Sequence, residues 1–189
     1  MNKLILKTAL ITLATLVLAG LLVFSLWILC APQTMATSCE KTGNYSFAVT
    51  CADLRYKYTK DIKDLARCAE DGIISGKDKH ILKYCGMLVE EDGFEELCAE
   101  KDKELLDSDY GKYTVSYKSY VLGHLAAAQY RGGDLQNAIK TAENGGEQSL
   151  TRLVLSIVGK NDKAAAKDEN LLTALDGFDN LKSVLQQII

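Results

Sequence analysis

Two regimes of hydropathy divide the chain. From Thr8 to Ala31 the run TALITLATLVLAGLLVFSLWILCA holds 24 uncharged residues, thirteen of them Leu, Ile, Val or Phe. Beyond residue 44 apolar positions recur at three- and four-residue intervals, and strand-like alternation is nearly absent. This second pattern predicts helices over Tyr45–Thr59, Ile62–Ile74, Lys79–Glu91, Phe94–Leu106, Tyr117–Arg131, Leu135–Asn144, Glu147–Gly159 and Ala164–Ile188, the last broken near Gly177. Turns rich in Gly, Asp, Lys or Asn separate them, among them Thr59-Lys60-Asp61, Asp92-Gly93, Gly132-Gly133 and Gly145-Gly146. Only Lys112–Ser116 (KYTVS) has extended character. Helices of about 10 to 15 residues with short connections pack antiparallel. The expected fold class is all-α: an N-terminal transmembrane helix followed by stacked antiparallel helical hairpins.

As a helix the first run is about 36 Å long, against a hydrocarbon core of about 30 Å, so it spans with some tilt. Trp27 falls near its outer end, where an indole suits the interface, and Pro32 cannot extend the helix and marks its exit. A cleaved signal peptide has an apolar core of about 7 to 15 residues, shorter than this one. Thr34-Met35-Ala36 nevertheless keeps cleavage open as an alternative. The bulky Leu29 before Cys30 speaks against a lipidated cysteine. Lys3 and Lys7 flank the front of the span, and the first basic residue behind it is Lys41. The positive-inside rule then makes residues 1–7 cytoplasmic, 8–31 a signal anchor in the plasma membrane, 32–44 a small polar tether, and 45–189 an extracytoplasmic domain.

Charge narrows the possible partners. With Lys3 and Lys7 set apart, 20 basic and 25 acidic groups remain, a balance of −5. A nucleic-acid footprint needs a basic face, and anionic lipid a polybasic patch; neither is present in the sequence.

The helices also fall into pairs. DLRYKYTKDIKDLARCAE (53–70), CGMLVEEDGFEELCAE (85–100), LAAAQYRGGDLQNAIKTAE (125–143) and LVLSIVGKNDKAAAKDE (153–169) each join two helices through a polar turn. Their spacing of roughly 30 to 40 residues is that of stacked helical hairpins. Within Leu122–Ala142, Leu122, Leu125 and Ala126 precede the turn Gly133-Asp134-Leu135, and Ala138 follows it. This stretch resembles a tetratricopeptide repeat, with Gln129 in place of a tyrosine, Ala142 in place of an aromatic residue and no terminal proline. The resemblance implies a right-handed α-solenoid whose concave face binds peptides or partner proteins, without catalysis.

Five cysteines lie beyond the apolar run: Cys39, Cys51, Cys68, Cys85 and Cys98. Cys51 and Cys68 straddle the Thr59-Lys60 turn almost symmetrically, as Cys85 and Cys98 straddle Asp92. Residues equidistant from a tight turn sit at one height in an antiparallel pair. Two readings follow: disulfides within each hairpin, each stabilising by about 3 kcal/mol, or free thiols acting as small apolar residues at a helix crossing. Ala126 and Ala138 occupy the equivalent places in the third hairpin without sulfur. Cys39 has no partner in this scheme and is a candidate link between two chains, as is the C-terminal helix around Leu181–Ile189.

Catalytic signatures are scarce. His80 and His124 lie in no zinc-binding spacing, and the chain has no C-x-x-C, P-loop, G-x-G-x-x-G or G-x-S-x-G. No catalytic residue, metal or cofactor is expected. Tyr113, Tyr117, Tyr120 and His124 follow a 4, 3, 4 spacing that puts them on one helix face. They read either as rings packed on the preceding hairpin or as a partner-binding stripe, since tyrosine offers large contact area at low entropic cost. The expected function is a single-pass membrane-anchored, non-enzymatic module that binds a protein or peptide. The alternative is an extracytoplasmic sensor acting through thiols or a ligand.

Overall fold

A computed structural model describes residues 3–106 and 115–189, with side chains described from Lys7 onward. Every regular element among these residues is helical, and none is a strand. The segment Lys112–Thr114, where extended structure is expected, lies outside the described residues, as does Tyr113; Val115 and Ser116 are irregular.

Helix α1 (Lys3–Cys30) is followed by α2 (Pro32–Lys41), α3 (Tyr45–Thr59) and α4 (Ile62–Ile74). A continuous helical stretch then runs through α5 (Asp78–His80), a π-helical turn (Ile81–Cys85) and α6 (Gly86–Val89). Next come α7 (Phe94–Leu106), α8 (Tyr117–Arg131), α9 (Leu135–Asn144) and α10 (Glu147–Gly159). The chain closes with α11 (Lys163–Ala166), α12 (Glu169–Ala174) and α13 (Asp179–Gln186). Six helices from α3 to α10 have the limits that periodicity and turn residues predict.

Turn chemistry explains that agreement. Lys60 ends α3 in the left-handed conformation (φ 54°), and the Asp61 carboxylate accepts from Lys63 N–H at 2.9 Å to begin α4. Asp134 and Asp162 cap α9 and α11 in the same manner. Two segments depart from expectation. The polar tether at 32–44 is mostly helix: Pro32 occupies the first turn of α2, and Met35, Ala36 and Cys39 form a buried stripe against α3. Three small apolar residues among Thr and Ser give too weak a periodic signal to be read alone; packing supplies the rest. The long C-terminal helix is also broken twice, at Gly177 (φ 90°) and again at Lys167-Asp168, where the Asp168 carboxylate caps α12.

Helices pack largely on their sequence neighbours: α2 on α3, α3 on α4, α8 on α9, and α10 on both α8 and α9. Two main cores result. One gathers α3, α4, the π-turn, α6, α7 and the face of α8 that carries Tyr117, Val121, Leu125 and Ala128, and includes Leu65, Cys68, Cys85 and Leu88. The other gathers the face of α8 that carries Ala126 and Tyr130 with α9–α13, and includes Ala138, Leu153, Ile157 and Leu185. The close approach of α8 to α10 needs glycine. A Cβ on Gly123 would meet Ser149 Cα at 3.2 Å, and one on Gly145 would collide with the Ser149 side chain. In the C-terminal segment, α13 lays Leu181 and Leu185 into the second core and packs on α10, in the place of a capping helix.

Helix α1 stands apart. Lys7–Cys30 has a mean hydropathy of 2.5, and its most apolar window buries nothing against the rest of the chain. Among the described residues it is the one helix long and apolar enough to cross a membrane. Its end touches the domain through Ile28, which packs beside Met35 and Cys39, and through Phe24, whose ring stacks on Phe47 with centroids 6.3 Å apart.

Candidate functional site

Of the residues singled out in the sequence, Tyr117, Cys68, Cys85 and Cys98 share the first core with Tyr120 packed against it, whereas Cys39 and Cys51 lie in a separate cluster. Ser116 caps α8 by accepting from Ser119 N–H at 3.2 Å, and Asp102 of α7 accepts from the Tyr117 N–H at 2.6 Å. These two contacts fix where α8 begins and aim its first turn at α4. Tyr117 is consequently buried (5% exposed) in the first core, and Tyr120 packs half-buried against that core. Tyr117 and Tyr120 have ring centroids 6.5 Å apart, and Tyr120 meets His124 edge-to-face at 4.9 Å. The 4, 3, 4 spacing thus produces a continuous line of rings from Tyr117 to His124, partly core and partly surface.

Beside this line lies a cleft of about 520 Å³. Ile74 of α4, Leu105 of α7, Val115, Tyr117 and Tyr120 form its apolar wall, and Glu70, Lys101 and Glu104 stand among its lining groups. Lys101 Nζ is 3.2 Å from the Glu70 carboxylate and 5.8 Å from the centre of the Tyr117 ring. The Tyr117 hydroxyl is buried without a hydrogen-bond partner. Burial, and then the charge of Glu70, raises its pKa and keeps it protonated. The same causes act on Tyr120. Burial, followed by Arg152 and Arg131, lowers His124 to about 4, so its imidazole is neutral at pH 7.

Glu70, Ile74 and Lys101 also border a second, polar cleft of about 500 Å³ between α2, α4 and α7. There Arg67 donates from Nε to Glu40 at 2.8 Å and from Nη2 to the Thr37 hydroxyl at 2.7 Å, joining α4 to α2. Asp71, one turn further along α4, is 4% exposed, and its Oδ2 has no hydrogen-bond partner. Burial and the neighbouring Glu40 push its carboxyl up to about 7 against the opposing pull of Arg67. Sequence reasoning missed this group. An aspartate in the last turn of a helix is ordinarily solvated, whereas tertiary packing buries this one beside Glu40 of α2.

All six cysteines are free thiols in the structure. Cys51 turns toward Met35, Ala36 and Cys39, whereas Cys68 lies in the core of α4, the π-turn and α7. The symmetric spacing of Cys51 and Cys68 therefore places them on opposite sides of their hairpin contact rather than face to face. Cys85 and Cys98 share one core, unbonded. Burial raises Cys51 and Cys98 to about 11 and Cys68 and Cys85 to about 12, which leaves almost no thiolate at neutral pH. Cys39 is buried too, beside Met35, Ala36 and Cys51. Among the described residues no group of three or more His, Cys, Asp or Glu side chains is placed to hold a metal ion.

Comparison of the chain with protein-family models, curated proteins and solved structures yields no match. The tetratricopeptide likeness therefore rests on residues 122–142 by themselves.

Proposed function

We propose that this chain is a single-pass membrane-anchored, non-enzymatic interaction module. In this reading α1 holds the protein in the plasma membrane with its N-terminus in the cytoplasm. The hairpins α3–α10 then form a tetratricopeptide-like scaffold on the outer side. The basic pair Lys3 and Lys7 before the apolar run supports the orientation. The observation that carries the reading is the cleft beside Tyr117 and Tyr120: an apolar wall with two carboxylates and one ammonium among its lining groups. Such a surface suits a peptide segment of a partner protein that presents apolar side chains next to a basic one. The alternative, a thiol-based sensor, is less well supported, because burial suppresses the reactivity of Cys51, Cys68, Cys85 and Cys98.

Site-specific photocrosslinking in intact cells tests the proposal. A photoreactive residue replaces Val115 at the cleft, and a second chain carries it at Lys140, exposed on α9. The expected result is one recurrent protein captured from position 115 and not from 140, and lost when Tyr120→Ala is added. Equal capture from both positions, or capture unaffected by Tyr120→Ala, would reject the cleft as the binding site. Recovery of the chain in the soluble fraction after alkaline extraction would reject the anchor.

A further inference from the structure

Helix α2 is held to the domain in two ways of different chemistry. Apolar contacts from Met35, Ala36 and Cys39 seat it on α3. Polar contacts tie it to α4: Arg67 pairs with Glu40 at 2.6 Å and donates to the Thr37 hydroxyl. Asp71 lies beside this pair, on the same face of α4 as Arg67 and one turn away. The guanidinium is already engaged by α2, and Asp71 Oδ2 is buried without a partner.

We propose that Asp71 is a proton-operated latch between α2 and α4. With its proton, the Asp71 carboxyl donates to the Glu40 carboxylate while Arg67 holds the other side of Glu40, and α2 is locked down. Without it, two carboxylates compete for one guanidinium, Glu40 is repelled, and α2 loosens.

The charged and titratable surroundings are consistent with this. Glu40 and Cys39 face the site from α2, and Arg67, Cys68 and Glu70 belong to α4 itself. Tyr45 of α3, Lys63 and Asp64 of α4, and Lys101 of α7 line the same cleft. Most of these charges are committed elsewhere: Lys63 to Glu100 at 2.6 Å, Asp64 to Arg55 at 2.7 Å, and Lys101 to Glu70. Arg67, already bound to Glu40 and Thr37, is the cation that an ionised Asp71 would have to share. Its carboxyl stands at about 7, above the ordinary 3.8, because of burial first and Glu40 second. A raised carboxyl favours the docked state at low pH, and that preference is lost as pH climbs from about 4 toward about 7. Helix α2 continues from α1 through Ala31, whose backbone (φ −139°, ψ 57°) breaks the helix. Its release would free the domain to reorient on α1. That consequence rests on reading α1 as an anchor, whereas the latch itself lies within the domain and holds or fails independently of the membrane.

The test uses the full chain in detergent micelles. Carboxyl NMR titration should give Asp71 a midpoint within about one unit of 7. Amide exchange over residues 33–41, corrected for intrinsic rate, should be about tenfold or more faster at about pH 8.5 than at about pH 5.5. Asp71→Asn should erase that difference and keep α2 protected at both values. A midpoint near 4, equal corrected rates in the unaltered chain, or an undiminished difference in Asp71→Asn would overturn the latch. Should Asp71→Asn fail to fold, Glu40→Gln decides. It frees Arg67 for Asp71 and should move the midpoint down by about one unit or more; an unmoved midpoint overturns the proposal.

Discussion

The two cores are built of the same kind of helix, yet they differ in what they bury. The second, around α9 to α13, is made of Leu, Ile, Val and Ala with a single tyrosine, Tyr130, whose hydroxyl donates to Asp162 at 3.0 Å. Its small residues at the α8–α9 crossing are Ala126 and Ala138. The first core adds Cys68, Cys85 and Cys98 to its alanines, brings in Tyr56, Tyr84 and Tyr117, and contains a π-helical turn. Of three buried polar atoms without partners among the described residues, Asp71 Oδ2 and Tyr117 Oη lie in or beside this first half, and Gln129 Oε1 lies near the end of α8. Both clefts considered above open there as well. The second region buries almost only apolar side chains, whereas the first sets two of the three unpaired polar atoms next to open clefts. Unsatisfied buried groups cost about 1 to 3 kcal/mol each, and where a structure keeps them a site is often close by.

Substitutions can break this contrast or sharpen it. The largest effect belongs to the packing half: Leu153→Ala removes a fully buried side chain and should destabilise by about 2 to 5 kcal/mol in chemical denaturation. A smaller loss would mean that the second core relaxes more readily than its density suggests. Next comes the glycine that admits α10. Gly145→Ala drives a methyl into Ser149 and Leu122 and should cost about 1 to 3 kcal/mol by the same measurement.

In the first half the effects are expected to be smaller and chemically selective. Cys85→Ser puts a hydroxyl where the side chain is fully buried, so it should lower stability by about 1 to 3 kcal/mol, more than Cys85→Ala does. If reducing agent instead destabilised the unaltered chain as much as Cys85→Ala, a disulfide would be present. Thermal unfolding should also be pH-dependent through Asp71. Because its folded value is raised, the unaltered chain should lose stability relative to Asp71→Asn as pH rises from about 4 to about 7, whereas His124, lowered by burial to about 4, contributes the opposite slope in both chains below about 6.5. The smallest change is Tyr117→Phe, which deletes an unpartnered hydroxyl and keeps the ring. Stability should rise by at most about 1 kcal/mol, while Tyr120→Ala, which strips a half-buried ring from the edge of the first core, should cost about 1 to 3 kcal/mol and abolish partner capture.

Much of this architecture was legible along the chain, and for a local reason. Helix limits follow from caps and left-handed turns within four residues of each end, as at Asp61 and Lys60, so α3, α4, α7, α8, α9 and α10 start and stop where their residues say. The apolar character of residues 8–31 is likewise a property of composition alone. Tertiary structure decided what depends on distant neighbours. It made a helix of residues 32–41 by giving Met35 and Cys39 a surface to cover, and it turned Cys51 and Cys68 into different cores. It buried Tyr117 while leaving Tyr120 and His124 partly open. It also placed Asp71 under α2 next to Glu40, two residues 31 positions apart whose charges affect each other only because two helices pack. Periodicity fixes which face of a helix is apolar; the field and the neighbours that a side chain meets come from whichever element lands on that face.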